Sequence, residues 1–70
     1  MRYREVAAKL TALGCREIPR IGGGSHRKWL NPGNGKGAVL PDWGGKDLKQ
    51  GTLRSGLRQL GINWEKFIAS

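Results

Sequence analysis

His26 is the only histidine in the 70-residue chain, and its neighbours suit it to breaking a phosphodiester. It follows Gly22, Gly23, Gly24 and Ser25 and precedes Arg27, Lys28 and Trp29. An imidazole, with an ordinary pKa of about 6.5, takes or gives a proton at neutral pH. RNA carries its own nucleophile, the 2′-hydroxyl, so its cleavage needs one group to remove that proton and another to protonate the leaving 5′-oxygen. A nearby cation offsets the charge that develops on the phosphate. Strand alternation over residues 25–30 places His26, Lys28 and Leu30 on one face, with Arg27 and Trp29 on the other. Gly22 to Gly24 let backbone approach a phosphate closely, and Gly24, Ser25 and Lys28 are then the nearest candidates for holding an RNA phosphate. The plain alternative is a half-exposed strand histidine with no chemical role.

A second basic group surrounds residues 46–58. Lys46, Lys49 and Arg54 are candidate phosphate contacts at and beyond the start of a helix, with Arg58 one turn after Arg54. Each is equally readable as part of a solvated outer face. Trp43 lies in a glycine-rich loop near these cations and is a candidate platform for a base, whereas Trp29 and Trp64 read as core. No metal is expected. Cys15 and His26 are too few for a zinc site, and the five acids, Glu5, Glu17, Asp42, Asp47 and Glu65, are scattered.

Composition narrows the partner. Thirteen Lys and Arg against five Asp and Glu give a net charge of +8 and a pI near 10.7. Such a balance fits a polyanion better than a membrane surface, since the charges are not gathered on one amphipathic helix. A single cysteine excludes an internal disulfide framework, and no apolar run is long enough to span a membrane. The N-terminal residues lack the apolar stretch of a secretory signal, so a cytoplasmic location is expected. Seventy residues give one domain, 1–70, with no room for a cofactor domain.

The elements that must position these groups follow from periodicity. Residues 2–13 repeat Tyr3, Val6, Leu10 and Leu13 at helical spacing, and Gly14 suits the left-handed stop. Residues 15–21, 25–30 and 37–40 read as three short strands, with Pro19 at a strand end. The first turn is Gly22 to Gly24 and the second Asn31-Pro32-Gly33-Asn34-Gly35, giving an antiparallel meander. A helix over 50–60 carries Leu53, Leu57 and Leu60 on one face, with Gly56 implying close packing and Gly61 ending it. Asn63 caps a last short helix from which Trp64, Phe67 and Ile68 pack back. The predicted class is α+β, ordered α-β-β-β-α plus a short C-terminal helix, with the helices on one face of a three-stranded sheet.

In this order the residues resemble the HicA family of toxins from bacterial toxin–antitoxin pairs. The resemblance rests on Glu5-Val6, Leu10 and Leu13-Gly14; on Gly24-Ser25-His26 with Trp29; and on Val39-Leu40-Pro41. It continues through Gly45-Lys46-Asp47-Leu48, Gly51-Thr52-Leu53 with Leu57, Gly61-Ile62 and Phe67, which is nearly the whole chain. It implies a double-stranded-RNA-binding-domain-like fold and a metal-independent endoribonuclease that cuts mRNA and arrests growth. It also implies His26 as the catalytic histidine, no cofactor, and a HicB-type antitoxin that blocks the site. Many relatives carry a second histidine where this chain has Trp43, leaving Lys28, a water or the substrate to supply the second proton transfer. Gln50 likewise stands where relatives commonly begin the helix with proline, which loosens its first turn.

Two other readings compete. A non-catalytic RNA-binding module of the same fold predicts salt-sensitive binding and no RNA damage that depends on His26. A small DNA-binding or antitoxin-like regulator would need a recognition helix, and the helix interrupted by Gly56 has few base-reading side chains. The basic charge predicts an acidic surface on the protein partner, which a salt-insensitive complex would contradict.

Overall fold

The computed structural model describes residues 1–19 and 24–70. Six elements follow in order: α1 (Tyr3–Ala12), β1 (Arg16–Ile18), β2 (His26–Asn31), β3 (Lys36–Pro41), α2 (Gln50–Leu60) and α3 (Trp64–Ile68). The strands form an antiparallel meander, β1-β2-β3, as their order and turns predict. Register pairs Ile18 with Lys28, Trp29 with Ala38 and His26 with Pro41. The expected run 15–21 is a strand only over its middle residues. Cys15 precedes it and is buried, Pro19 follows it, and residues 20–21 lie outside the described residues together with Gly22 and Gly23 of the first turn.

Alternation decides what the helices cover. Trp29, Ala38 and Leu40 point to the helical side and are buried, whereas Lys28 and Val39 point away and are exposed. Val6, Leu10, Leu53, Leu57, Leu60 and Phe67 meet them from the helices and complete the core. Burying each of these aliphatic or aromatic side chains contributes about 1.5–3 kcal/mol before the entropic cost of ordering the chain. Ile68 is a correction, for it is 45% exposed on the outward side of a helix whose inward position is taken by Phe67. Leu13 packs only at the edge of the core because it is the C-cap of α1. Trp64 is half-buried rather than fully enclosed.

The caps are those that the sequence implies. Gly14 follows α1 with φ 90°, and Gly61 ends α2 with φ 71°. Asn63 Oδ1 accepts from the backbone N–H of Glu65 at 2.9 Å and of Lys66 at 3.2 Å. The β2–β3 turn is tied to α2, since the side-chain amides of Asn31 and Asn34 both donate to the Leu60 carbonyl, at 2.9 and 3.0 Å. These bonds satisfy a carbonyl that the helix leaves unpaired.

Gly56 is required by contact with β3. A Cβ added there would lie 2.5 Å from Leu40 Cδ2, and Leu40 is fully buried. Gly56→Ala should therefore destabilise despite a gain in helix propensity of about 1 kcal/mol. Overpacking costs about 1–3 kcal/mol. We expect a net loss near 1 kcal/mol, read as a lower urea midpoint with an unchanged slope.

Candidate active site

His26 opens β2 on the open face of the sheet and is exposed. Lys28 lies two residues on, also exposed and on the same face, as alternation requires. Ser25 and Gly24 precede the strand and are exposed, and Gly24 has φ 118°, a conformation that L side chains rarely adopt. These four candidates are thus brought together at one end of the sheet. Beyond them the open face is largely apolar. A groove of about 400 Å³ is lined by Ile18, Lys28, Trp29, Leu30, Gly35 and Gly37, and Val39 beside Lys28 is 51% exposed.

The candidates after β3 divide into two places. Lys46 and Lys49 are exposed in the β3–α2 connection, which begins at the strand end paired with His26. Lys49 is the N-cap of α2 and makes no capping bond through its side chain. Arg54 lies elsewhere, on α2. Its guanidinium carbon stacks 4.0 Å from the centroid of the Trp64 ring. In the amide orientation that satisfies both groups, Gln50 Oε1 accepts from Nε and Nη2 of Arg54 at 3.2 Å. Arg54, Leu57, Arg58, Ile62 and Trp64 line a separate groove of about 250 Å³ that includes neither His26 nor Lys28.

A set of groups that sequence reasoning did not single out lies directly behind His26. Arg27, turned to the helical side, donates from Nη1 to Glu17 at 3.1 Å and from Nη2 to Asp42 at 3.0 Å. Its guanidinium carbon is 5.8 Å from the Tyr3 ring centroid. The Tyr3 hydroxyl donates to Glu17 and accepts from Trp29 Nε1, the latter at 2.9 Å. One chain of polar contacts therefore joins α1, β1, β2 and the segment after β3. The signal was present in the alternation itself, because a guanidinium on the covered face must find anionic partners there. Two of the acids that read as scattered, Glu17 and Asp42, are those partners.

The same chain makes a prediction about alkaline stability. Burial and the Glu17 carboxylate push the Tyr3 pKa well above the ordinary tyrosine value near 10. The folded state thus holds the phenol proton more tightly than the unfolded chain does. This contribution is fully present below about pH 10 and is lost as pH rises beyond it towards the folded-state pKa. Tyr3 is the only tyrosine, so tyrosinate ultraviolet absorbance reports it alone. The absorbance should rise together with unfolding. A phenol that ionises at the ordinary tyrosine value, ahead of unfolding, would contradict the assignment.

Among the described residues no three His, Cys, Asp or Glu side chains gather as a metal site, and no helix is long and apolar enough to cross a membrane. A family model described as HicA toxin of bacterial toxin-antitoxin matches residues 3–62. No curated protein and no solved structure matches the chain significantly.

Proposed function

Because this chain belongs to the HicA family of toxins from bacterial toxin–antitoxin pairs, we propose that it arrests growth by cutting mRNA, with His26 as general acid or base. The observation that carries this reading is the exposed His26 with Lys28 beside it on the open sheet face. His26 takes the 2′-hydroxyl proton, the oxygen attacks the adjacent phosphorus, and the 5′-oxygen departs with a proton from Lys28 or water. The product carries a cyclic phosphate. Lys28 also offsets the negative charge on the phosphate during transfer.

Gly24 and Ser25 give the RNA backbone a close approach, and Lys46 and Lys49 extend the basic surface from the same end of the sheet. Arg54 serves as a more distant contact along α2. The reaction is metal-independent in this reading: Glu17 and Asp42 are both engaged by Arg27. The whole of 1–70 acts as one RNA-cleaving domain in the cytoplasm. The family is one of toxins with antitoxins, and a HicB-type antitoxin is the natural partner for the apolar face around Val39, beside the catalytic group.

The test is incubation of the purified protein with end-labelled RNA in EDTA. Fragments ending in cyclic phosphate are expected. Salt-sensitive binding without any cleavage would instead identify an RNA-binding module, the reading that the solitary histidine favours.

A further inference from the structure

Trp43 is a large aromatic side chain that is not part of the hydrophobic core. Trp29 is 2% exposed in the core, whereas Trp43 is 38% exposed on the connection between β3 and α2. A groove of about 430 Å³ beside it is lined by Trp43 and Lys46. Among the described residues Lys46 makes no ion pair. An exposed indole next to a free ammonium is the combination that holds a nucleotide, with the ring taking the base and the cation the phosphate.

The connection is also held in shape. At its start the Asp42 N–H donates to the Ser25 carbonyl, and Asp42 Oδ2 accepts from Arg27 at 3.0 Å. Its other carboxylate oxygen accepts from the Gly44 N–H at 3.0 Å, and Gly44 turns the chain with φ 64°. The Lys46 N–H reaches the Trp43 carbonyl at 3.3 Å. At its far end Leu48 is buried, and its N–H donates to the Met1 carbonyl at 2.9 Å. Little conformational freedom is left to lose when a ligand arrives, and that favours binding.

Register fixes where this surface lies. Pro41 is the partner of His26 across the sheet, and Trp43 is two residues further along. Cα partners sit at most about 5.5 Å apart and successive Cα atoms 3.8 Å apart, so the Trp43 Cα is within about 13 Å of that of His26. Trp43 is therefore within reach of a nucleotide neighbouring one at His26.

We propose that Trp43 and Lys46 form a subsite that stacks one unpaired base flanking the phosphate cut at His26. The proposal rests on the ribonuclease reading only for the meaning of "cut"; the stacking itself is a binding property. Its consequence is a choice of substrate. A base in a duplex is already paired and stacked, so it cannot lie on the indole, and the RNA must be single-stranded or opened at that position.

The test uses the wild-type protein and a short mixed-sequence 2′-O-methyl RNA, which has no free 2′-hydroxyl and is not cleaved. Single strands should quench tryptophan fluorescence, and the same sequence annealed to its complement should not. Trp43→Ala should remove most of the quenching and weaken binding about tenfold, with Trp43→Phe keeping most of the affinity. One abasic nucleotide at the stacked position should weaken wild type but leave Trp43→Ala unchanged, a comparison made on two folded proteins. Equal binding by wild type and Trp43→Ala, or equal quenching by duplex, overturns the proposal. Cleavage of ordinary RNA is scored separately. Cleavage with no dependence on Trp43 defeats the stacking subsite alone. Quenching without cleavage defeats the nuclease reading and leaves the subsite standing, and the absence of both binding and cleavage defeats the two together.

Discussion

His26→Ala should lower the rate of RNA cleavage by about 10²–10⁴-fold, while the protein melts as the wild type does. The size of the effect follows from the role, since a positioned group that moves a proton in the transition state contributes about that much. The unchanged melting follows from the geometry. His26 is exposed, and among the described residues its side chain makes no hydrogen bond or ion pair. Surface substitutions of that kind change stability by no more than about 0.5 kcal/mol. The two readouts together separate chemistry from folding. His26→Gln belongs in the same experiment, because its amide fills similar space and hydrogen-bonds but moves no proton at neutral pH. Cleavage by His26→Ala at more than about a tenth of the wild-type rate would remove the histidine from the mechanism. Lys28 and the backbone around Gly24 would then have to carry the reaction by charge stabilisation alone.

The elements and their order were legible because each depended on local pattern. Leu53, Leu57 and Leu60 recur on one helical face, and the structure gives that helix as Gln50–Leu60. His26 and Lys28 fell on the open face, and Trp29 on the covered one, by alternation alone. Gly56 was readable as a close contact, although only the structure names Leu40 as its neighbour. What could not be read was anything set by long-range register. The pairing of Glu17 with Trp29, and of His26 with Pro41, brings Glu17 and Asp42 to the same guanidinium from positions 25 residues apart in the chain. No spacing rule connects those positions. Ile68 failed for a related reason: on this five-residue helix Trp64 and Phe67, three residues apart, take the inward side and leave Ile68 outside it.

Arg27→Ala should be the most damaging single change to a polar residue, costing about 2–3 kcal/mol. Each of its two charge-assisted bonds contributes about 1.5–3 kcal/mol where water is excluded. That figure is discounted here because the side chains of Arg27, Glu17 and Asp42 remain 28%, 32% and 23% exposed. Two further losses add to it. Glu17 and Asp42 would face each other's charge across the space left by the guanidinium, and the Tyr3 ring would lose its cover. A core of this size rarely supplies more than about 3–5 kcal/mol in total, so the variant should sit near its unfolding midpoint at ordinary temperature. Arg27→Lys should recover less than half of the loss, because one ammonium cannot serve two carboxylates in the fork geometry that Nη1 and Nη2 supply. Asp42→Ala is the informative partner. It releases only the start of the Trp43 connection and leaves Arg27 with Glu17, so it should cost about 1 kcal/mol yet weaken RNA binding. Combined with Arg27→Ala it should add less than it costs alone, since the Arg27 bond is already gone and only the Gly44 N–H still loses its acceptor. Urea unfolding of the four proteins measures this cycle. Full additivity, or an Arg27→Ala melt within about 0.5 kcal/mol of wild type, would mean that these ion pairs are surface decoration and that the core alone holds the strand bearing His26.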